Sequence, residues 1–223
     1  MAYSFIAANA QRLYGPDNSN LDITGPITVS IWCKASGENI DSVRGLVSKW
    51  SVGQRSYEIG YSAVSPATAS KVNALISSNG AYQENGSVLD TTTNIGTDWI
   101  ALAMVYVPST LIATYIGGSP GTSSSSNVPS AIFSGTANLE IAAAFAGNWS
   151  TFFGGLIGST AIWSAALTVA EISSLAKGFS PRRIRPQSLV FYAPLVRNLQ
   201  DLRNGLALTA DNSPTVANHP RVY

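Results

Sequence analysis

The sequence predicts an all-β sandwich, and three observations carry that expectation. Period-2 apolar runs recur along the 223 residues, punctuated by Gly, Asn and Pro. Ser, Thr, Asn and Gly number 30, 16, 15 and 19, and these types favour turns and strand edges over helix interiors. Only one short segment carries a full set of helix start and stop signals. Charged residues make up 11% of the chain, well under the ~25% of an average soluble domain, so neutral polar side chains cover the surface. Five Trp, nine Tyr and seven Phe supply a core, which excludes intrinsic disorder. The length suits one large β domain over residues 1–223.

In chain order, the apolar runs place strands at 3–8, 27–35, 45–50, 56–62, 71–77, 99–107, 111–116, 139–143, 153–163, 188–193 and 206–210. The run 99–107 is apolar on both faces, as befits a central strand covered on both sides. Asn79-Gly80, Asn85-Gly86, Gly117-Gly118 and Asn204-Gly205 mark turns between strands. Residues 117–130, with four consecutive serines, read as an exposed loop too short to separate two domains. The helix falls at 169–176. Thr168 is its N-cap and Glu171 its third residue, a capping box, and Leu167 and Ile172 staple across it. Gly178 stops it after Lys177, ahead of Phe179 and Pro181, and Ile172 and Leu175 form its core-facing side.

Cys33 is the only cysteine, so no internal disulfide or cysteine-rich zinc site is expected, and its apolar neighbours make it a small hydrophobe. Residues 1–6 lack the basic region and apolar core of a signal peptide. The longest apolar run, 100–107, is far short of the ~20 residues that cross a bilayer. The expectation is synthesis in the cytoplasm without membrane insertion, with export as part of a larger particle left open. A formal charge of +1 gives no reason to expect a nucleic-acid partner.

Leu21-Asp22-Ile23-Thr24-Gly25-Pro26-Ile27-Thr28-Val29-Ser30-Ile31-Trp32 resembles the opening strands of laminin-G-like domains, members of the concanavalin A-like jelly rolls. Residues 99–106 with 111–117 resemble their middle hairpin. Phe153-Gly154-Gly155-Leu156-Ile157-Gly158 through Trp163, then Ala166-Leu167-Thr168-Val169-Ala170-Glu171-Ile172, resembles their closing strand and helix. The resemblance covers residues 3–178 and implies the jelly-roll fold. Leu189-Val190-Phe191-Tyr192-Ala193-Pro194-Leu195, Asp201 and Asn204-Gly205-Leu206-Ala207-Leu208-Thr209 resemble the segment that normally begins such domains, and here it comes last. Either the domain is circularly permuted, with 188–223 completing its own sheet beside residues 3–8, or the tail is an arm that gives those strands to a neighbouring subunit.

The concanavalin A-like folds include glycoside hydrolases, so paired carboxylates are the first chemistry to seek. No Glu-x-Asp-x-x-Glu pattern occurs. Glu58 and Glu140 lie on expected strands with no second acid close in sequence, leaving only a cross-strand pair. His219 is the sole histidine, so a Ser-His-Asp or Cys-His site has one candidate base, and it reads as a surface or interface residue. Asp17-Asn18-Ser19-Asn20-Leu21-Asp22 is the densest oxygen cluster. It reads as a turn, with calcium the alternative because laminin-G-like and pentraxin relatives hold calcium in loops; no other cofactor or metal is expected. Trp32, Trp99 and Trp163 lie in strands and read as core. Trp50 and Trp149 lie in loops, where exposed rings suggest contact with a glycan or a protein. Residues 1–180 carry seven basic and ten acidic groups, net −3, whereas 181–223 carry six arginines and two acids, net +4. Arg182, Arg183 and Arg185, framed by Pro181 and Pro186, form a candidate partner-binding cluster.

With no catalytic constellation and a polar β surface, the expectation is a non-enzymatic module. Its resemblance to proteins of tailed-phage structural gene clusters implies a virion surface protein, decorating the capsid or belonging to a fibre. It would stabilise the particle, self-associate or bind a capsid or tail lattice, adhere to host glycans, or combine these. A free carbohydrate-binding, lectin-like protein and an unrecognised glycoside hydrolase are the alternatives.

Overall fold

The computed structural model describes residues 1–37, 43–64, 69–90, 96–145, 150–196 and 198–219, apart from the side chains of 62–64, 69–70 and 150. The strands are, in order, β1 (Ala2–Phe5), β2 (Arg12–Gly15), β3 (Ile27–Ala35), β4 (Arg44–Lys49), β5 (Arg55–Val64), β6 (Ala69–Gly80), β7 (Ser87–Asp90), β8 (Ile100–Val107) and β9 (Leu111–Ile116). They continue with β10 (Ser119–Ser124), β11 (Leu139–Ile141), β12 (Ala143–Phe145), β13 (Ser150–Phe152), β14 (Gly155–Trp163), β15 (Leu189–Ala193), β16 (Thr209–Asp211) and β17 (Thr215–Ala217), with the helix α1 (Val169–Ala176) between β14 and β15. Two antiparallel sheets form the sandwich. Sheet one runs β10-β9-β8-β3-β14-β1-β17, with β15 also on β14; sheet two runs β16-β2-β11-β4-β5-β6-β7.

Alternation sorts the side chains as the sequence predicts. Val29, Ile31 and Cys33 of β3 and Leu102, Met104 and Tyr106 of β8 meet Leu13, Val47, Ile59, Ala74 and Ile141 of sheet two in one core. Burial pushes the Cys33 thiol up to about 12, which makes it inert. On the other side of sheet one, Ala103, Val105 and Trp163 pack against Ile172 and Leu175 of α1, so β8 is covered on both faces. The capping box forms: the Thr168 hydroxyl accepts from the Glu171 N–H at 3.4 Å, and the Glu171 carboxylate accepts from the Thr168 N–H at 2.7 Å. Among the described residues no helix is long and apolar enough to cross a membrane.

Three expectations change. Residues 119–124 form an edge strand rather than a loop. Gly117 and Gly118, at φ 60° and 85°, make the tight two-residue turn that returns the chain along β9, and an edge tolerates Pro120. The strand expected at 139–143 is broken at Ala142, whose φ of 69° turns the chain out of sheet two into the β12–β13 hairpin. Trp163 is fully buried, but Trp32 and Trp99 are only half-buried, and the His219 ring packs against both at centroid distances of 6.2 and 4.9 Å. A β-carbon at Gly158 would collide with that ring, so glycine lets the histidine lie on the β14 backbone.

The C-terminal segment touches both sheets. β15 pairs with the second half of β14, from Thr160 to Trp163, and β1 pairs with its first half, from Gly155 to Ile157. β17 lies beside β1, and β16 borders β2 in sheet two. Asp201, buried, fastens the segment by accepting from the N–H groups of Tyr192, Arg203 and Asn204.

Candidate functional site

Sheet two brings the strand acids onto one face. Tyr14 is opposite Glu140, Glu140 opposite Ser48, and Ser48 opposite Glu58, so these side chains form an outward-facing row across β2, β11, β4 and β5. The hairpin β12–β13 folds over part of this face: the Ser48 hydroxyl donates to the Ala143 carbonyl at 2.8 Å, and Gly45 leaves room for Ala143 and Ala144. Glu58 is buried, and desolvation, partly offset by Arg55, pushes its carboxyl up to about 8.

At the open end of the row lies a cleft of about 410 Å³ lined by Arg12, Trp50, Ser51, Gln54, Thr136, Ala137, Asn138, Glu140 and Phe145. Arg12 is held on all sides. Its Nη1 donates to Glu140 Oε1 at 3.1 Å and its Nε to Asp211 Oδ2 at 3.0 Å, while its guanidinium lies 4.6 Å from the Phe145 ring centroid and 4.9 Å from that of Tyr14. The Phe145 N–H donates to the Trp50 carbonyl at 3.1 Å, which ties the hairpin to the end of β4. Gln54 Oε1 accepts from the Thr136 N–H at 2.9 Å on the rim. Desolvation pushes the Glu140 carboxyl up to about 7 against the pull of Arg12, with Asp211 adding to the rise. Its Oε2 is buried and has no hydrogen-bond partner among the described residues. A buried acceptor without a partner is costly while it carries charge, which accords with the raised carboxyl.

The residues singled out in the sequence fare differently. Trp50 is not an exposed loop ring. It is 3% exposed, with Arg55 5.7 Å from its ring centroid, and it is among the residues that line the cleft. Trp149 lies outside the described residues. Arg185 is engaged within the fold, its Nε 2.6 Å from Glu171 Oε1 and its Nη1 donating to the Ala166 carbonyl. Glu171 feels some desolvation, but the Thr168 hydrogen bonds and Arg185 hold its carboxyl below the usual range. Arg182 and Arg183 are exposed. Arg12, Gln54, Asn138 and Phe145 were not foreseen, since only the strand register and the hairpin bring them together.

The oxygen cluster does not fit a calcium ion. Asn18 caps a short 3-10 turn at Ser19–Leu21. Asp17 and Asp22 converge instead on the ammonium of Lys49, at 2.8 and 3.0 Å, and that fully buried ammonium also donates to the Gly135 carbonyl. The cation these carboxylates need is supplied by the chain itself. No group of three or more His, Cys, Asp or Glu poised for a metal occurs among the described residues.

A laminin-G family model described as the concanavalin A-like lectin/glucanases superfamily matches residues 8–173. The chain belongs to this superfamily. No curated protein sequence matches it. Several solved structures share the superfamily fold. A Bacteroides ovatus protein provisionally described as carbohydrate binding matches with a TM-score of 0.64 and 14% identity over 97% of this chain and 61% of that one. A heptameric pentraxin from Limulus polyphemus matches with a TM-score of 0.57 and 13% identity over 92% and 93% of the two chains. The carbohydrate-binding module of a Ruminococcus gnavus sialidase, solved with α2,3-sialyllactose, matches with a TM-score of 0.54 and 12% identity over 73% and 93%. At such identities the likeness is one of concanavalin A-like architecture, and function rests on the site.

Proposed function

We propose that the chain is a non-enzymatic, carbohydrate-binding jelly-roll module that holds a glycan in the Arg12–Glu140 cleft. The observation that carries this reading is the cleft itself, about 410 Å³ lined by an aromatic ring, an amide-rich set of side chains and the fixed Arg12–Glu140 pair. Sugars need this mixture: a ring face or edge for the C–H surface, and fixed polar groups for the hydroxyls. Phe145 supplies the apolar wall, Gln54, Asn138 and Thr136 the rim, and Arg12 and Glu140 the charged floor. Asp211 and Tyr14 hold Arg12 in place before any ligand arrives, which lowers the ordering cost of binding. The sugar-binding neighbours of the same fold agree with this reading. A glycan array probed with the protein and with Asn138→Ala tests it. Binding to a related set of glycans, weakened in the variant, is expected; an array without signal would refute it.

One observation favours a hydrolase instead: Glu58 and Glu140 share a face two strands apart, and both carboxyls are raised. Two strand spacings put their backbones about 10 Å apart, near the separations of about 6.5–9.5 Å between carboxyl groups in inverting glycosidases. Only Glu140 lines the cleft, however, and Glu58 is 3% exposed, so the second acid does not reach a bound sugar. A reducing-sugar assay on the glycans that bind separates the readings: release of reducing ends means catalysis. We place the module on a virion surface, where the exposed Arg182 and Arg183 would face a capsid or tail protein. Co-sedimentation with purified particles tests that setting, and a protein that never sediments with them contradicts it.

A further inference from the structure

Away from the cleft, a second cavity of about 180 Å³ is lined by Arg182, Pro186, Leu189, Tyr192, Leu202 and Arg203. Its floor is apolar and fixed, since Leu189 and Tyr192 are buried in the layer beneath α1. Leu202 stands on its rim at 43% exposure, an unusual position for a leucine in a turn. The two arginines belong to different elements. Arg182 is the middle residue of a 3-10 turn at Pro181–Arg183, and Arg203 sits in the turn fastened by Asp201, its Nε donating to the Leu189 carbonyl at 2.9 Å. Neither has a carboxylate partner among the described residues, although Arg12, Lys49 and Arg185 all do. Two uncompensated guanidinium groups beside a fixed apolar floor form a site of mixed chemistry.

Size narrows the occupant. The cavity is smaller than the roughly 300–1,000 Å³ of small-molecule sites and suits a single side chain. Charge fixes the rest, because Arg182 and Arg203 line the cavity with no acid among its lining residues, and Asp201 and Glu171 are already bonded elsewhere. We propose that this cavity docks an acidic peptide segment of a partner protein, one apolar side chain entering between Leu189, Tyr192 and Leu202 while flanking carboxylates bind Arg182 and Arg203. Arginine forks bind carboxylates directionally, and the pinned turn presents Arg203 already in place.

The test is an amide-detected NMR titration of the full chain with acetyl-Glu-Phe-Glu-amide, beside acetyl-Gln-Phe-Gln-amide and inorganic phosphate. Saturable shifts are expected at Leu189, Tyr192, Leu202 and Arg203. The Gln peptide should bind at least ~10-fold more weakly, about 1.4 kcal/mol per tenfold, and about 0.5 M salt should weaken the acidic peptide. Arg182→Glu, at an exposed side chain, should cost a similar factor with an unchanged melting temperature. Absence of saturable shifts, equal binding of the two peptides, or the same shifts from phosphate alone would each overturn the proposal. Binding unaffected by Arg182→Glu would overturn it as well.

Discussion

Lys49 points into the sandwich because β4 alternates, and an ammonium there survives only with countercharge. Asp17 and Asp22 provide it from the loop before β3. Lys49→Met leaves two carboxylates without their cation. Urea unfolding should show a loss of about 3 kcal/mol, at the low end for a broken buried pair because both aspartates reach solvent. Millimolar calcium should leave the melting temperature of the unaltered protein unchanged, since the ammonium already fills the cluster; a rise would contradict this. Glu58 and Glu140 set a pH dependence of the less common sign. Their folded carboxyls are raised to about 8 and about 7, above an unfolded value of ~4.3. Between those limits the folded state binds more protons than the unfolded state, so their stabilisation is full at acid pH and lost as pH rises towards about 8. The melting temperature should fall from pH 5 to pH 8, and Glu58→Gln should flatten the fall; a rise over that range would refute the assignment. Both acids were visible as strand residues. Their shared face was not, because it depends on the register across β11, β4 and β5.

Among the elements, β3, β9 and α1 fall where the sequence places them, since each has local signals: an unbroken alternation, a glycine turn, a capping box and a staple. The elements that escaped notice are short or polar. β2 has only Arg12-Leu13-Tyr14 before Gly15, and β10 is a Ser/Gly/Pro segment pinned from outside, the Thr122 N–H donating to buried Asp90 at 2.8 Å. Their pairing partners lie far along the chain, so no window of local sequence reveals them. The cleft was illegible for the same reason: it joins β2, the end of β4, β11 and β12. The helix gives the element-scale prediction. Thr168→Ala removes one cap and should lower stability by about 0.5–2 kcal/mol with glycan binding unchanged, because α1 docks through Ile172 and Leu175 on sheet one, away from the cleft. Lost binding at an unchanged melting temperature would give α1 a role in the site.

For the molecule as a whole, the C-terminal segment links both sheets and the site. β15 and β17 extend sheet one, β16 edges sheet two, and Asp211 of β16 holds Arg12 in the cleft. Truncation after Phe179 uncovers Leu13 and part of β14 and leaves β1 an open edge, a known aggregation hazard. The fragment 1–179 is expected to be insoluble or unfolded. A soluble fragment that melts cooperatively would mean that the segment is an arm serving a neighbour. Binding in the cleft would then require that arm. Occupancy of the cleft by a glycan is measured most directly by an NMR titration of the full chain with the strongest array glycan, mapped residue by residue. Glycan binding in the cleft predicts saturable shifts at Trp50, Gln54, Asn138, Glu140 and Phe145, with little change at the Trp32 and Trp99 face. Shifts centred on Trp32 and Trp99, or no saturable shifts at all, would contradict it.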